Sequence, residues 1–235
     1  MPTDLIQVLQ NLGRPRVLVL GDLILDRYIW GDAERVSQEA PVILLQADRN
    51  ETRLGGAANV AHLLRGLEAT VALAGAVGDD ADGRELRANL ETLGVDWAAV
   101  LTDASRPTTV EERYIARAQH RHPHQMLRVD REQRTPLDAS RTEELLNTVL
   151  PLIAEQDVVL ISDYAKGVCT PQIVQAIIAQ AATAGVPVIV DPRPGEDYSL
   201  YRGATAVTPN RLETSRATGM DVKTTENAFA AGRRL

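Results

Sequence analysis

The chain has 235 residues, a formal net charge of −7 and 44% hydrophobic residues, enough for one sizeable core. An acidic balance with no basic stripe argues against nucleic acid as a partner, and no apolar run approaches the roughly 20 residues of a membrane span. Cys169 is the single cysteine, so no intrachain disulfide framework exists and a cytoplasmic home fits best.

Residues 1–13 read as a helix rather than a signal peptide, with Thr3 as N-cap and Leu5, Ile6, Leu9 and Leu12 on one face. "RVLVLGD" (16–22) reads as a buried strand whose carboxyl end opens into a loop held by Asp22. The stretch 27–53 breaks the pattern, with Trp30-Gly31 and a short β-rich run at 42–46. "LGGAANVAHLL" (54–64) sets a glycine pair before a helix predicted over 57–67. By itself the pair fits two readings equally. It lets a polar ligand approach the N–H groups at the helix start, or it permits tight helix–sheet packing. "TVALAGAVGDD" (70–80), "DVVLISDY" (157–164), "VPVIVDP" (186–192) and the weaker "TAVTPN" (205–210) repeat the strand plan, often ending in Asp.

Further helices are predicted over 82–93, 139–154 and 170–185. The last has Thr170 as N-cap, Pro171 in its first turn and Gly185 as its stop. The stretch 107–130 carries "PTTVEERYIA" and "HQMLRVD", two strands without a helix between them. Alternating strands and helices imply a parallel sheet covered on both faces. The stretches 27–53 and 107–130 are read as pairing into a small β-sheet lid outside it.

Ligands of such sheets bind beyond the carboxyl ends of the strands, so the Asp-rich strand ends mark the active face. No two glycines are separated by one residue, which excludes the dinucleotide fingerprint, and neither lysine follows a P-loop pattern. Arginine outnumbers lysine 23 to 2. Lys166 in "DYAKG" is therefore a departure from the background choice. A compact ammonium that follows a moving phosphate explains it better than a surface lysine. Arg113 and Arg128 in the lid fit a grip on a phosphate group, or plain strand-face charge. Asn210 and Glu213 stand one helical turn apart and also have the form of a capping box. His120, His122 and His124 are read as an exposed hairpin tip, because Pro123 interrupts them and no carboxylate or Cys completes a ligand set.

Three motifs in order resemble the ribokinase-like (PfkB-type) sugar kinases: "GGAANVA" (55–61), "GAVGDDADG" (75–83) and "NRLE" (210–213). Residues 21–42, 107–114, 125–130, 162–167 and 202–213 narrow this. They resemble the D-glycero-β-D-manno-heptose-7-phosphate kinases, which feed ADP-heptose synthesis for lipopolysaccharide. The resemblance implies an α/β ribokinase-like three-layer sandwich with a mostly parallel sheet and a β lid, residues 1–235 forming one incomplete kinase domain. It implies ATP and Mg²⁺ as cofactors and transfer of the γ-phosphate to a hydroxyl of a phosphorylated heptose. It also places Asp26, Gly55, Gly56 and Asn59 against the sugar. Arg113, Arg128 and Lys166 are taken to bind the substrate with them. Asn210 and Glu213 would order the nucleotide phosphates, Glu213 holding Mg²⁺ through water.

Two departures stand out. Glu111 occupies a position where relatives usually carry lysine. The Gly-Ala-Gly-Asp stretch that supplies the base is absent, so the catalytic Asp is expected beyond Leu235 and this chain is expected to be inactive. "GAVGDD" echoes that stretch but matches a different family element. A homodimer through the lid is expected, because Trp30, Ile43 and Leu45 would coat a thin sheet. The alternatives are a non-catalytic sugar-phosphate-binding or dimerising fragment, and a ribokinase-like kinase for another sugar.

Overall fold

Five of the six residues of β1 (Arg16–Gly21) are buried. A strand covered on both faces needs apolar side chains at successive positions, and RVLVLG supplies them. In the computed structural model, which describes residues 6, 7, 11, 13–117, 122–195 and 197–235, β1 lies inside a six-stranded sheet. Most of the helix expected over 1–13, and His120, fall outside the described residues.

The sheet continues with β4 (Thr70–Val77), β5 (Asp96–Thr102), β8 (Val158–Ser162), β9 (Val188–Asp191) and β10 (Ala206–Val207). Its order is β10-β9-β8-β1-β4-β5, and every pair is parallel. Successive residues of β1 feed opposite cores. Val17 and Val19 meet Ala57, Ala58 and Ala61 of α1 (Gly56–Gly66) and Leu86 and Leu90 of α2 (Ala81–Thr92). Leu18 and Leu20 meet Leu145 of α3 (Ala139–Val149) and Ile173 and Ile177 of α4 (Pro171–Ala184). The result is three layers, helix–sheet–helix. The chain builds outward from β1 to β5, then returns to the other side of β1 with β8. The order therefore reverses between β1 and β8, and ligands of open parallel sheets bind at that crevice.

The helix signals act as read. Thr170 Oγ1 accepts from the Ile173 N–H at 3.2 Å, and Gly185 ends α4 with φ +71°. The helix predicted over 139–154 stops at Val149 and tightens into a 3-10 turn over Leu150–Glu155, because Pro151 has no N–H to continue the ladder. The edge strand β5 was not anticipated. Two short helices, α5 (Arg211–Thr218) and α6 (Thr225–Gly232), follow β10.

Only Asp22 separates β1 from β2 (Leu23–Val36), so no loop opens there; the chain passes directly into a second sheet. That sheet comprises β2, β3 (Ile43–Gly55), β6 (Thr109–Arg117) and β7 (His124–Arg131), in the order β3-β2-β6-β7. Two antiparallel hairpins are joined by the parallel β2–β6 pair. β2 and β3 are far longer than the run predicted at 42–46, because their polar residues pair across the ladder. Arg27 on β2 meets Glu112 on β6 at 3.2 Å, and the guanidinium of Arg49 on β3 lies 4.5 Å from the centroid of the Trp30 ring on β2. Trp30 and Leu45 are thus half-buried. The exposed large apolar residues of this sheet are Val36, Ile43, Leu44, Leu127 and Val129, with Val42 exposed just before β3.

Candidate active site

Asp22 organises the crevice between β1 and β8. Its carboxylate accepts from the N–H groups of Tyr164 (2.9 Å), Lys166 (3.0 Å) and Val168 (3.1 Å). It therefore holds the loop after β8, not the one after β1. Burial pushes its carboxyl up, while the three N–H donors pull the other way. The tight loop carries Ala165 at φ +57° and buries Lys166. The Lys166 ammonium pairs with Glu132, just past the end of β7.

The glycine pair is shaped by the protein's own atoms. A Cβ on Gly56 (φ +54°) would stand 2.4 Å from the Asp22 carbonyl oxygen, which accepts the Ala57 N–H at 2.9 Å. A Cβ on Gly55 would stand 2.7 Å from Asp26 Oδ2. The pair therefore lets the first turn of α1 press against the start of β2 and leaves room for the Asp26 carboxylate.

Asp26 accepts from Arg113 at 2.8 Å, and Arg113 also meets the buried Glu111 at 2.5 Å. Arg128 bridges Glu111 (3.1 Å) and Asp130 (2.7 Å). Two arginines thus share three carboxylates on one face of the second sheet. Asp26 and Asn59 line a common cleft of about 640 Å³ with Tyr28, Arg53, His62 and Asn89.

Asn210 and Glu213 sit at the other end of the sheet's carboxyl edge. β10 lies three strand spacings from β1, about 14 Å at ~4.8 Å each. The pair is a capping box: Asn210 Oδ1 accepts the Glu213 N–H at 3.0 Å, and Glu213 Oε2 accepts the Asn210 N–H at 2.8 Å. Asp191, at the end of β9, has its carboxyl pushed up by burial and then by the charge of Glu213. Two carboxylates that repel each other at a strand end offer the hard oxygen donors a hydrated divalent cation prefers.

The remaining acids are occupied. Asp80 caps α2 through the Gly83 N–H (2.8 Å) and accepts from the Thr108 hydroxyl (2.7 Å) and N–H (2.8 Å). Asp163 accepts from the Tyr201 hydroxyl at 2.8 Å. Among the described residues, Asp22, Asp163 and Cys169 are the one cluster of metal-type ligands, and no histidine joins it. Burial drives the Cys169 thiol well up, so it is a protonated core residue. His122 and His124 are exposed at the tip of the second sheet.

The family model for pfkB family carbohydrate kinases matches residues 14–235. The chain belongs to this family. Among curated relatives, the bifunctional protein HldE of Wolinella succinogenes is 43% identical over 215 residues, which are 92% of this chain and 44% of that protein. The bifunctional protein HldE of Geobacter metallireducens is 44% identical over 218 residues, 93% of this chain and 43% of that protein. The chain thus spans less than half the length of the curated relatives it matches. Solved structures share the pfkB kinase fold at low identity. Arabidopsis thaliana ribokinase, complexed with ribose and ATP, superposes with a TM-score of 0.67 at 20% identity, covering 94% of this chain and 68% of that one. The tetrameric inhibited form of phosphofructokinase-2 from Escherichia coli gives 0.68 at 19% identity, covering 94% and 69%.

The sequence reading names Asp26 and Asn59 of this cleft but not Arg53 or His62, nor Glu132 beside Lys166. Arg53 directly precedes "LGG", and His62 stands three residues after Asn59, one helical turn along. Those spacings were the available signals.

Proposed function

We propose that the protein is a sugar kinase of the ribokinase type, transferring the γ-phosphate of ATP to a hydroxyl of a phosphorylated heptose, in the cytoplasm, for ADP-heptose supply. Identity above 40% to bifunctional HldE proteins across more than nine-tenths of the chain carries this reading. Asp26 accepts sugar hydroxyls, held in place by Arg113. Asn59 adds an amide, and the Gly55-Gly56 turn brings the start of α1 to the sugar. Arg128 lines the same face, and the second sheet closes over the site as a lid that excludes water. Lys166 follows the transferred phosphate. Asn210 and Glu213 order Mg²⁺ and its waters, and the cation supplies charge neutralisation at the nucleotide phosphates. A second copy of the chain pairs through the lid.

The test is calorimetric titration with heptose 7-phosphate. Asp26→Ala is expected to weaken binding by about tenfold to a hundredfold, the loss of charged hydrogen bonds worth about 1.5–3 kcal/mol. Asn210→Ala is expected to leave it within about twofold. Equal losses in both variants would overturn the assignment of the two ends. The 235 residues contain no Gly-Ala-Gly-Asp stretch. A coupled ADP-release assay on this chain is therefore expected to show turnover far below about 10 s⁻¹, the enzyme median.

A further inference from the structure

The cleft that holds Asp26 extends beyond what sugar hydroxyls alone require. One wall is β3, where Arg53 pairs across the ladder with Asp26 and reaches over the Tyr28 ring at 4.7 Å. A second wall is α1, where His62 follows Asn59 by one turn, and a third is α2 with Asn89. Among the described residues lining this cleft, Asp26 is the one carboxylate. Beyond it the polar lining is rich in groups able to donate hydrogen bonds.

We propose that Arg53 and His62, with Asn89, form the subsite for the phosphate monoester that the sugar substrate already carries. This rests on the kinase reading above. The lid arginines suit that role less well. Arg113 and Arg128 share Asp26, Glu111 and Asp130, so a dianion there would face more negative charge than positive. Arg53 has one acidic partner, Glu51, which takes Nε and one terminal nitrogen. The other terminal nitrogen makes no hydrogen bond among the described residues. An exposed pair of this kind is weak and readily exchanged for a phosphate, which the planar guanidinium binds through two parallel N–H groups. Tyr28 beneath it fixes the orientation before the ligand arrives.

The experiment titrates the purified protein with heptose 7-phosphate, with the same heptose lacking phosphate, and with inorganic phosphate. Arg53→Gln and His62→Asn are each expected to weaken the phosphosugar by about tenfold and to leave the plain heptose within about twofold. Arg53→Lys should restore part of the loss. Thermal melting of each variant separates lost binding from lost folding. Equal weakening of both sugars, or unchanged phosphosugar affinity, overturns the subsite. If the unaltered protein binds neither heptose, the kinase reading falls. Inorganic phosphate then decides the subsite by itself: binding lost in Arg53→Gln keeps it, and binding unchanged removes it.

Discussion

Gly56 shows how one position can join the fold and the site. Its positive φ and the Asp22 carbonyl oxygen 2.4 Å from a would-be Cβ leave room for hydrogen alone. Gly56→Ala is expected to cost about 1–3 kcal/mol, the range for a residue forced into a rarely populated backbone region. Urea unfolding monitored by circular dichroism measures it, and a loss under about 0.5 kcal/mol would mean that the turn relaxes around the methyl group. Asp80 makes a pH-dependent contribution. Burial opposes its ionised form, but the Thr108 hydroxyl, the Thr108 N–H and the Gly83 N–H outweigh burial and hold its carboxyl below the usual value. A depressed acid stabilises the fold above its unfolded pKa of about 3.9 and loses that contribution as pH falls through the lower folded value. Asp80→Asn should therefore lower the melting temperature near neutrality and narrow the gap to the unaltered protein as pH drops below about 4. A gap that widens with acid would reverse the sign argued here.

The second sheet is fastened to the main layers by side-chain clamps. Arg27 on β2 meets Asp82 of α2 at 2.6 Å, Glu112 of β6 at 3.2 Å and Glu85 of α2 at 3.5 Å. Arg131 at the end of β7 joins Glu112 at 2.8 Å, and the Thr52 hydroxyl of β3 donates to Glu85 at 2.6 Å. On the far side, Glu132 holds Lys166 of the β8 loop. Removing Arg27 would take the guanidinium from Glu85 and leave Arg131 alone to neutralise Asp82 and Glu112. Arg27→Met is expected to cost about 1.5–3 kcal/mol and to speed amide exchange in β2, β3 and β6 more than in β1, β4 or β8. Uniform acceleration across both sheets would show that the clamp stabilises the whole chain rather than the second sheet.

At the scale of the whole molecule, the second sheet leaves aliphatic side chains outside the two cores. Val36, Val42, Ile43 and Leu44 stand exposed at the outer part of the β2–β3 hairpin, and Leu127 and Val129 on β7. A four-stranded sheet with this many exposed aliphatic residues favours a partner, and a second copy meeting it about a twofold axis is the proposed one. Sedimentation at tens of micromolar is expected to give the mass of a dimer, and Ile43→Asp with Leu127→Asp that of a monomer. A monomer from the unaltered chain would set the proposal aside. No helix among the described residues is long and apolar enough to cross a membrane.

Much of this was legible in the sequence, for reasons that are local. The central strands of a parallel sheet are buried on both faces, so RVLVLG and VVLIS announce themselves as unbroken apolar runs. Thr170, Pro171 and Gly185 mark the ends of α4 through backbone geometry that neighbouring residues satisfy. The order of the glycine, Asp and Asn-Glu motifs gave the family. Other features depend on residues far apart along the chain. β5 is an edge strand whose DWAAVLT mixes polar and apolar positions, and only pairing with β4 makes it a strand. β2 and β3 look like charged loops until residues of neighbouring strands satisfy them, Glu112 of β6 meeting Arg27 and the Trp30 ring of β2 taking Arg49 of β3. Asp22 meets the Tyr164 N–H across 142 positions, and Lys166 meets Glu132 across 34. Backbone propensity and hydrophobic period act over a few residues, so sequence alone determined the layers and the family. Which charge neutralises which, and which carboxylates remain open to a ligand, is decided where distant strands meet, and only the tertiary structure sets those partners.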